Sequence, residues 1–90
     1  MSSSTASTRI HVTIRLFAAY AERVGRGSVE ISLPSGATVA ELLEEFRRAV
    51  PGAAALPARL LCAVNLAHVL PVHLLRDGDE VAILPPMAGG

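Results

Sequence analysis

Between Thr38 and Val50 the sequence TVAELLEEFRRAV leaves the chain little conformational choice. Thr38 stands three residues before Glu41, the spacing of a capping box. The threonine hydroxyl can accept from the Glu41 backbone N–H while the glutamate reaches back to the N–H of Thr38. Behind it Val39, Leu42, Leu43, Phe46 and Val50 recur at i, i+3, i+4, i+7 and i+11, one stripe of an amphipathic helix. Glu41, Glu44, Glu45, Arg47 and Arg48 fall on the wet side, acids early and bases late, as the helix dipole favours. Pro51-Gly52 ends the segment. A lone helix of about three turns is marginal in water, so the rest of the chain has to supply a surface that covers its apolar stripe.

Alternating residues supply that surface. Ile10, Val12, Ile14 and Leu16 face one way and His11, Thr13, Arg15 and Phe17 the other, which predicts a half-buried strand over 10–17. Ala18 to Val24 suits a short helix stopped by Gly25 and Gly27. Val29, Ile31 and Leu33 alternate with Ser28, Glu30 and Ser32 in a second strand, closed by a turn at Pro34-Ser35-Gly36. Ala53 to Arg59 reads as a loop around Pro57. The continuous apolar run Leu60 to Val64 predicts a strand buried on both faces. Residues 65–75 are mixed, with a short strand expected near Val69 and a turn at Pro71. Asp77-Gly78-Asp79 is a turn, and Glu80 to Leu84 the last strand. Strand, strand, long helix, strand, strand is an α+β order, one helix packed on a small mixed sheet. That is the β-grasp, or ubiquitin-like, fold. The expected organisation is a single domain over 9–84, a disordered polar leader over 1–8 and a flexible tail over 85–90.

Composition narrows the function classes. Apolar residues make up 51% of the chain and aromatics 3%, so the core must be aliphatic. Eight basic and eight acidic residues cancel, and no cationic surplus points to nucleic acid or an anionic membrane. The single cysteine, Cys62, cannot form an internal disulfide and fits a reducing compartment. No run approaches the ~20 apolar residues of a spanning helix, and the leader lacks the apolar region of a secretory signal. A cytoplasmic protein is expected. Catalytic constellations are nearly absent. His11, His68 and His73 share no metal-ligand spacing. Cys62 lies in an apolar strand, where its thiolate is disfavoured. Asp77, Asp79 and Glu80 are the usual company of a hairpin turn, and Gly25-Arg26-Gly27 lacks the full pattern of a phosphate loop.

The remaining feature is the end, PPMAGG, directly after the strand. Pro85 and Pro86 cannot act as ladder donors and favour extended geometry, so the chain leaves the sheet along a set direction. Met87, Ala88, Gly89 and Gly90 complete a tail with little bulk at its tip, and glycine lets a backbone pass where no Cβ fits. Six extended residues reach about 20 Å, far enough to enter a partner's buried site. These properties suit either a frayed end or a threading tail.

In this strand order the segments LFAAYAERVG (Leu16 to Gly25), ATVAELL (Ala37 to Leu43), AVN (Ala63 to Asn65), LRDGDEVAILPP (Leu75 to Pro86) and the final GG resemble the MoaD family. Its members are the ubiquitin-like sulfur carriers that form the small subunit of molybdopterin synthase. The resemblance spans everything except the leader. It implies that the chain binds no cofactor of its own and is a co-substrate rather than an enzyme. An E1-like adenylyltransferase (MoeB-like) would use ATP and Mg²⁺ to adenylate the Gly90 carboxylate, and a sulfur donor would convert it to a thiocarboxylate. The tail would then enter the large subunit (MoaE-like), where sulfur builds the dithiolene of molybdopterin. In the family, positions matching Phe17 and Leu84 contribute to an apolar docking patch around the tail. The pattern of alternation equally allows them to close this protein's own core. Leu66-Ala67-His68 and Pro71 depart from the family pattern. Carriers of the ThiS or Urm1 type, serving thiazole, tRNA thiolation or cysteine synthesis, and ubiquitin-like protein modifiers are the alternatives.

Overall fold

The computed structural model describes residues 9–84, so the leader 1–8 and the tail 85–90 lie outside the described residues. The elements run β1 (Arg9–Leu16), α1 (Ala18–Val24), β2 (Ser28–Pro34), α2 (Val39–Ala49), a 3₁₀ turn (Ala53–Ala55), β3 (Leu61–Val64), β4 (Ala67–His68) and β5 (Glu80–Leu84). The strands form one sheet in the order β2-β1-β5-β3-β4. β1 and β5, the first and last strands of the chain, are parallel neighbours at its centre, and every other pairing is antiparallel. With α2 packed on one face, this is the α+β, β-grasp arrangement expected from the order of elements.

The capping box forms as read. Thr38 Oγ1 accepts from the Glu41 N–H at 3.3 Å and Glu41 Oε1 accepts from the Thr38 N–H at 2.9 Å. Val39, Leu42, Phe46 and Val50 are buried against Val12, Ile14, Leu16, Val81 and Ile83 from the two central strands. Burial of these aliphatic side chains is the main stabilising term. Two further N–H groups of the first helical turn are satisfied by a distant loop: Val39 donates to His73 O and Ala40 to Pro71 O. Leu75 donates back to Ala37 O, so the segment around Pro71 is moored to the start of α2.

Four local readings are revised. β1 stops at Leu16, and Phe17 keeps extended backbone angles but serves as the N-cap of α1. Arg47 does not sit freely on the wet side. It is half-buried, and its guanidinium donates to the Leu56 carbonyl at 3.0 Å and to those of Ala53, Pro57 and Ala58. The expected loop over 53–59 is thereby organised, beginning with a 3₁₀ turn in which Ala53 is wholly buried. β3 is buried only from Cys62 onward, and its first residue, Leu61, is exposed. The short strand lies at Ala67–His68, just ahead of Val69, whose N–H nonetheless donates to Cys62 O.

Among the described glycines, Gly52 is where a second backbone comes closest. Its φ is +90°, and a Cβ there would lie 2.9 Å from the carbonyl oxygen of Arg23, so the end of α1 can rest directly on the chain leaving α2. The β3–β4 connection shows the opposite economy. Asn65 and Leu66 both have positive φ, +48° and +77°, in a two-residue hairpin between the paired residues Val64 and Ala67. Asparagine tolerates that geometry, whereas leucine does not. Replacing Leu66 by glycine should therefore stabilise the fold by about 1 kcal/mol, read as a higher urea midpoint at unchanged m in dilute solution. An unchanged midpoint would show that the leucine is not strained there.

Candidate partner interface and the exit of the tail

Parallel pairing brings the ends of β1 and β5 to one pole of the sheet. Leu16 is in register with Ile83, and both are buried beneath α2. The next residue of each strand, Phe17 and Leu84, comes out beside the other's exit. Phe17 is 42% exposed and Leu84 half-buried. Leu61, paired with Leu84 across the β3–β5 ladder, is 50% exposed. Partners in a ladder share a face, so Leu84 and Leu61 lie on the side of the sheet away from α2. Ala82 and Ala63 are register partners on the same side. The result is an apolar patch at the pole from which residue 85 departs. It is bounded toward the middle of the sheet by Arg15 and Glu80, whose side chains pair at 2.8 Å.

The other residues weighed for chemistry have structural employment. Asp79 Oδ1 accepts from Asn65 Nδ2 at 3.0 Å and Oδ2 from the Arg76 N–H at 2.8 Å. Asn65 Oδ1 accepts from the Glu80 N–H, and its own N–H donates to Glu80 O. Asp77 Oδ1 accepts from the His11 N–H at 2.7 Å. These bonds fasten the turn before β5 to β1 on one side and to the β3–β4 hairpin on the other. His11, His68 and His73 are exposed and dispersed, and among the described residues no group of His, Cys, Asp and Glu could hold a metal ion. Gly25 stops α1 in the left-handed conformation, its N–H donating to Ala21 O. No described helix is long and apolar enough to cross a membrane.

Residues 14–90 match the ThiS family. The chain belongs to that family. A curated relative, the molybdopterin synthase sulfur carrier subunit of Escherichia coli (strain K12), is 35% identical over 82 residues, covering 88% of this chain and 99% of the relative. The fold is shared with the crystal structure of small archaeal modifier protein 1 of Haloferax volcanii, with a TM-score of 0.75 and 26% identity over 87% of this chain and 99% of that one. A protein–protein complex of subunits 1 and 2 of the molybdopterin-converting factor from Helicobacter pylori contains a chain of the same fold. There the TM-score is 0.64 and the identity 22%, over 90% of this chain and all of that one.

For this ThiS-family chain the structure places Phe17 and Leu84 together at the tail's exit, while Pro85, Pro86, Met87, Ala88, Gly89 and Gly90 lie outside the described residues. Leu61 belongs to the same patch and escapes a sequence reading, because a continuous apolar run cannot show which of its members stays exposed on the sheet face. Only the Leu61–Leu84 register reveals it.

Cys62 is buried in β3, and loss of hydration pushes its thiol up to about 11. A thiol shifted from 9.0 to about 11 carries about a hundredfold less thiolate at neutral pH. Alkylation of the folded ThiS-family chain at pH 8 should lag that of the urea-unfolded chain by at least that factor. The raised value also has a sign for stability. The protonated thiol's contribution is fully present below pH 9 and is lost as pH rises toward 11, a loss that Cys62→Ala should remove from the pH profile of unfolding. Rapid alkylation of the native chain at pH 8 would overturn this reading.

Proposed function

We propose that this chain is the sulfur-carrying small subunit of a molybdopterin synthase and works through its terminal Gly90 carboxylate. The observation that carries the reading is the shared exit of β1 and β5. The last strand is pinned at the centre of the sheet and ends at Leu84 beside an exposed apolar patch, with PPMAGG next in the sequence. A docking surface and a narrow reactive tail thus leave the domain from one pole.

The chemistry follows from what a carboxylate lacks. It is a poor electrophile, so an E1-like partner would use ATP and Mg²⁺ to form the Gly90 acyl adenylate, releasing pyrophosphate. The terminal sulfur of a donor persulfide would then attack the carbonyl carbon and expel AMP, and a second thiol on the donor side would cleave the resulting acyl disulfide, leaving a thiocarboxylate on Gly90 and a disulfide on the donor. The acid–base groups for these steps belong to the partners, consistent with the engagement of Asp77, Asp79 and Asn65 in holding turns. The chain's part is to present the tail, through prolines that keep it extended and glycines that let it enter a slot. Phe17, Leu61 and Leu84 would anchor the large subunit around it, as an aromatic and aliphatic cluster can.

Composition favours a carrier over a chain-forming modifier. All eight basic residues are arginines, and no lysine occurs in the sequence. A protonated guanidinium is not a nucleophile at neutral pH, so an activated Gly90 meets no side-chain amine on another copy of its own kind.

Two outcomes test the reading. Phe17→Ala should weaken binding to the large subunit by about 2 kcal/mol or more, measured by calorimetry. It should lower folding stability by much less than the 3–5 kcal/mol of a buried Phe truncation, because the ring is 42% exposed. Gly89→Val should abolish sulfur loading while leaving thermal unfolding unchanged, since position 89 lies beyond β5. Valine adds a branched Cβ and closes off positive φ. After incubation with the adenylyltransferase, ATP and a sulfur donor, intact mass should show one oxygen exchanged for sulfur in the native chain only. Loading of the valine variant at the native rate would remove the threading argument.

A further inference from the structure

The passage from β1 into α1 is made under strain. Strand pairing holds the chain up to Leu16, and α1 begins at Ala18, with only Phe17 between them. Phe17 is extended, at φ −132° and ψ 156°. Ala18, the first helical residue, has a φ of +49°, in the left-handed region. A residue with a Cβ resists that region, and a helix ordinarily starts right-handed. Gly25, at the other end of the same helix, takes positive φ without the penalty. Both neighbours of the strained residue are fixed independently. β1 is paired on each side, with β2 and with β5. α1 is held by buried Tyr20 and by the close approach of the Arg23 backbone to Gly52. Just beyond the helix, Gly27 O accepts from the Leu16 N–H at 2.9 Å, which closes the connection beside the paired residues Arg15 and Ser28. A right-handed start at Ala18 would swing the helix to another angle on the strand, so the surroundings over-determine the left-handed one.

We propose that Ala18 is a positioning residue, whose left-handed backbone fixes Phe17 as a rigid aromatic anchor at the tail's exit. Its value for docking rests on the carrier reading above. The Phe17 carbonyl accepts from the N–H groups of Tyr20 and Ala21, at 3.0 and 3.3 Å. On the other side of Phe17, Leu16 is buried in the core. The ring is 42% exposed, so its position is set by the backbone on either side more than by enclosure. An anchor already held in place loses less freedom when a partner covers it, which is what preorganisation contributes to affinity. Glycine at position 18 would remove the strain and the restriction together, since it enters positive and negative φ alike. Asparagine would relieve the strain while keeping a Cβ and a narrower choice of φ. Ala18 is exposed, so the asparagine side chain has room.

The comparison of Ala18→Gly with Ala18→Asn in the full chain tests this. Urea midpoints should not fall in either variant, because neither loses a core contact. Amide relaxation by NMR on the isolated chain should show Phe17 and residue 18 as ordered as β1 in the native protein and in Ala18→Asn. In Ala18→Gly both amides should become mobile. Calorimetric titration into a purified molybdopterin synthase large subunit should show binding weakened about three- to tenfold in Ala18→Gly and restored in Ala18→Asn. A residue with a merely structural role would move the midpoint and leave affinity alone. Native order or native affinity in Ala18→Gly overturns the proposal, as does an equal loss of affinity in Ala18→Asn. A fall in both midpoints also overturns it, because Ala18 would then be unstrained. Absence of binding by the native chain itself would strike the carrier reading, and the relaxation comparison would still decide whether Ala18 positions Phe17.

Discussion

The parallel pairing of β1 with β5 is the contact on which the rest of the structure depends. Thr13 meets Glu80 and Leu16 meets Ile83, so the centre of the sheet forms only when the two ends of the domain come together. Loop closure over that separation is entropically costly and makes this the slow kind of contact. The compensation is burial on a large scale. Ile14, Val81 and Ile83 are fully shielded by α2, whose own Leu42 and Phe46 are shielded in return. Removing either central strand would leave the helix stripe facing water.

The same pairing serves function. Because β5 runs with β1 rather than against it, both strands end at one pole, and the apolar residues just past the core come out beside the tail. An antiparallel β5 would have put Leu84 at the other end of the sheet from Phe17. Polar residues secure this alignment from the opposite end of β5. The Asp79 and Asn65 side chains bridge the turn before β5 to the β3–β4 hairpin, and Asp77 holds it to β1. Slippage of β5 along β1 would break these bonds as well as expose Val81 and Ile83. The acids near the end of the chain therefore set the position from which the tail departs, a role quite different from catalysis.

The domain then divides its surface by pole. Near Leu84 it presents Phe17 and Leu61 as an exposed apolar patch. Around β4 it presents leucines on an open edge. The thiol is withdrawn from both, since Cys62 lies under the sheet with its proton held by burial. Under the proposed function, this separation would let the carrier meet its partners through one end without competing chemistry from its own side chains.

Local periodicity and capping determined much of this protein by themselves. The Thr38–Glu41 box placed the start of α2 to the residue, alternation marked the inward faces of β1 and β2, and Asp77-Gly78-Asp79 announced the turn before β5, because each depends on residues only a few positions apart. Other features became decidable only in the folded chain. Arg47 follows the polar side of its helix in sequence, yet four carbonyls from the following segment claim its guanidinium. Leu61 looks like a core residue until register sets it against Leu84 on the exposed face of the sheet. The exposure of Leu66, Leu70, Val72 and Leu74 was hidden for the same reason. A hydrophobic pattern states that a side chain would gain by burial, whereas which strand becomes an edge is settled by pairings between residues far apart in the chain.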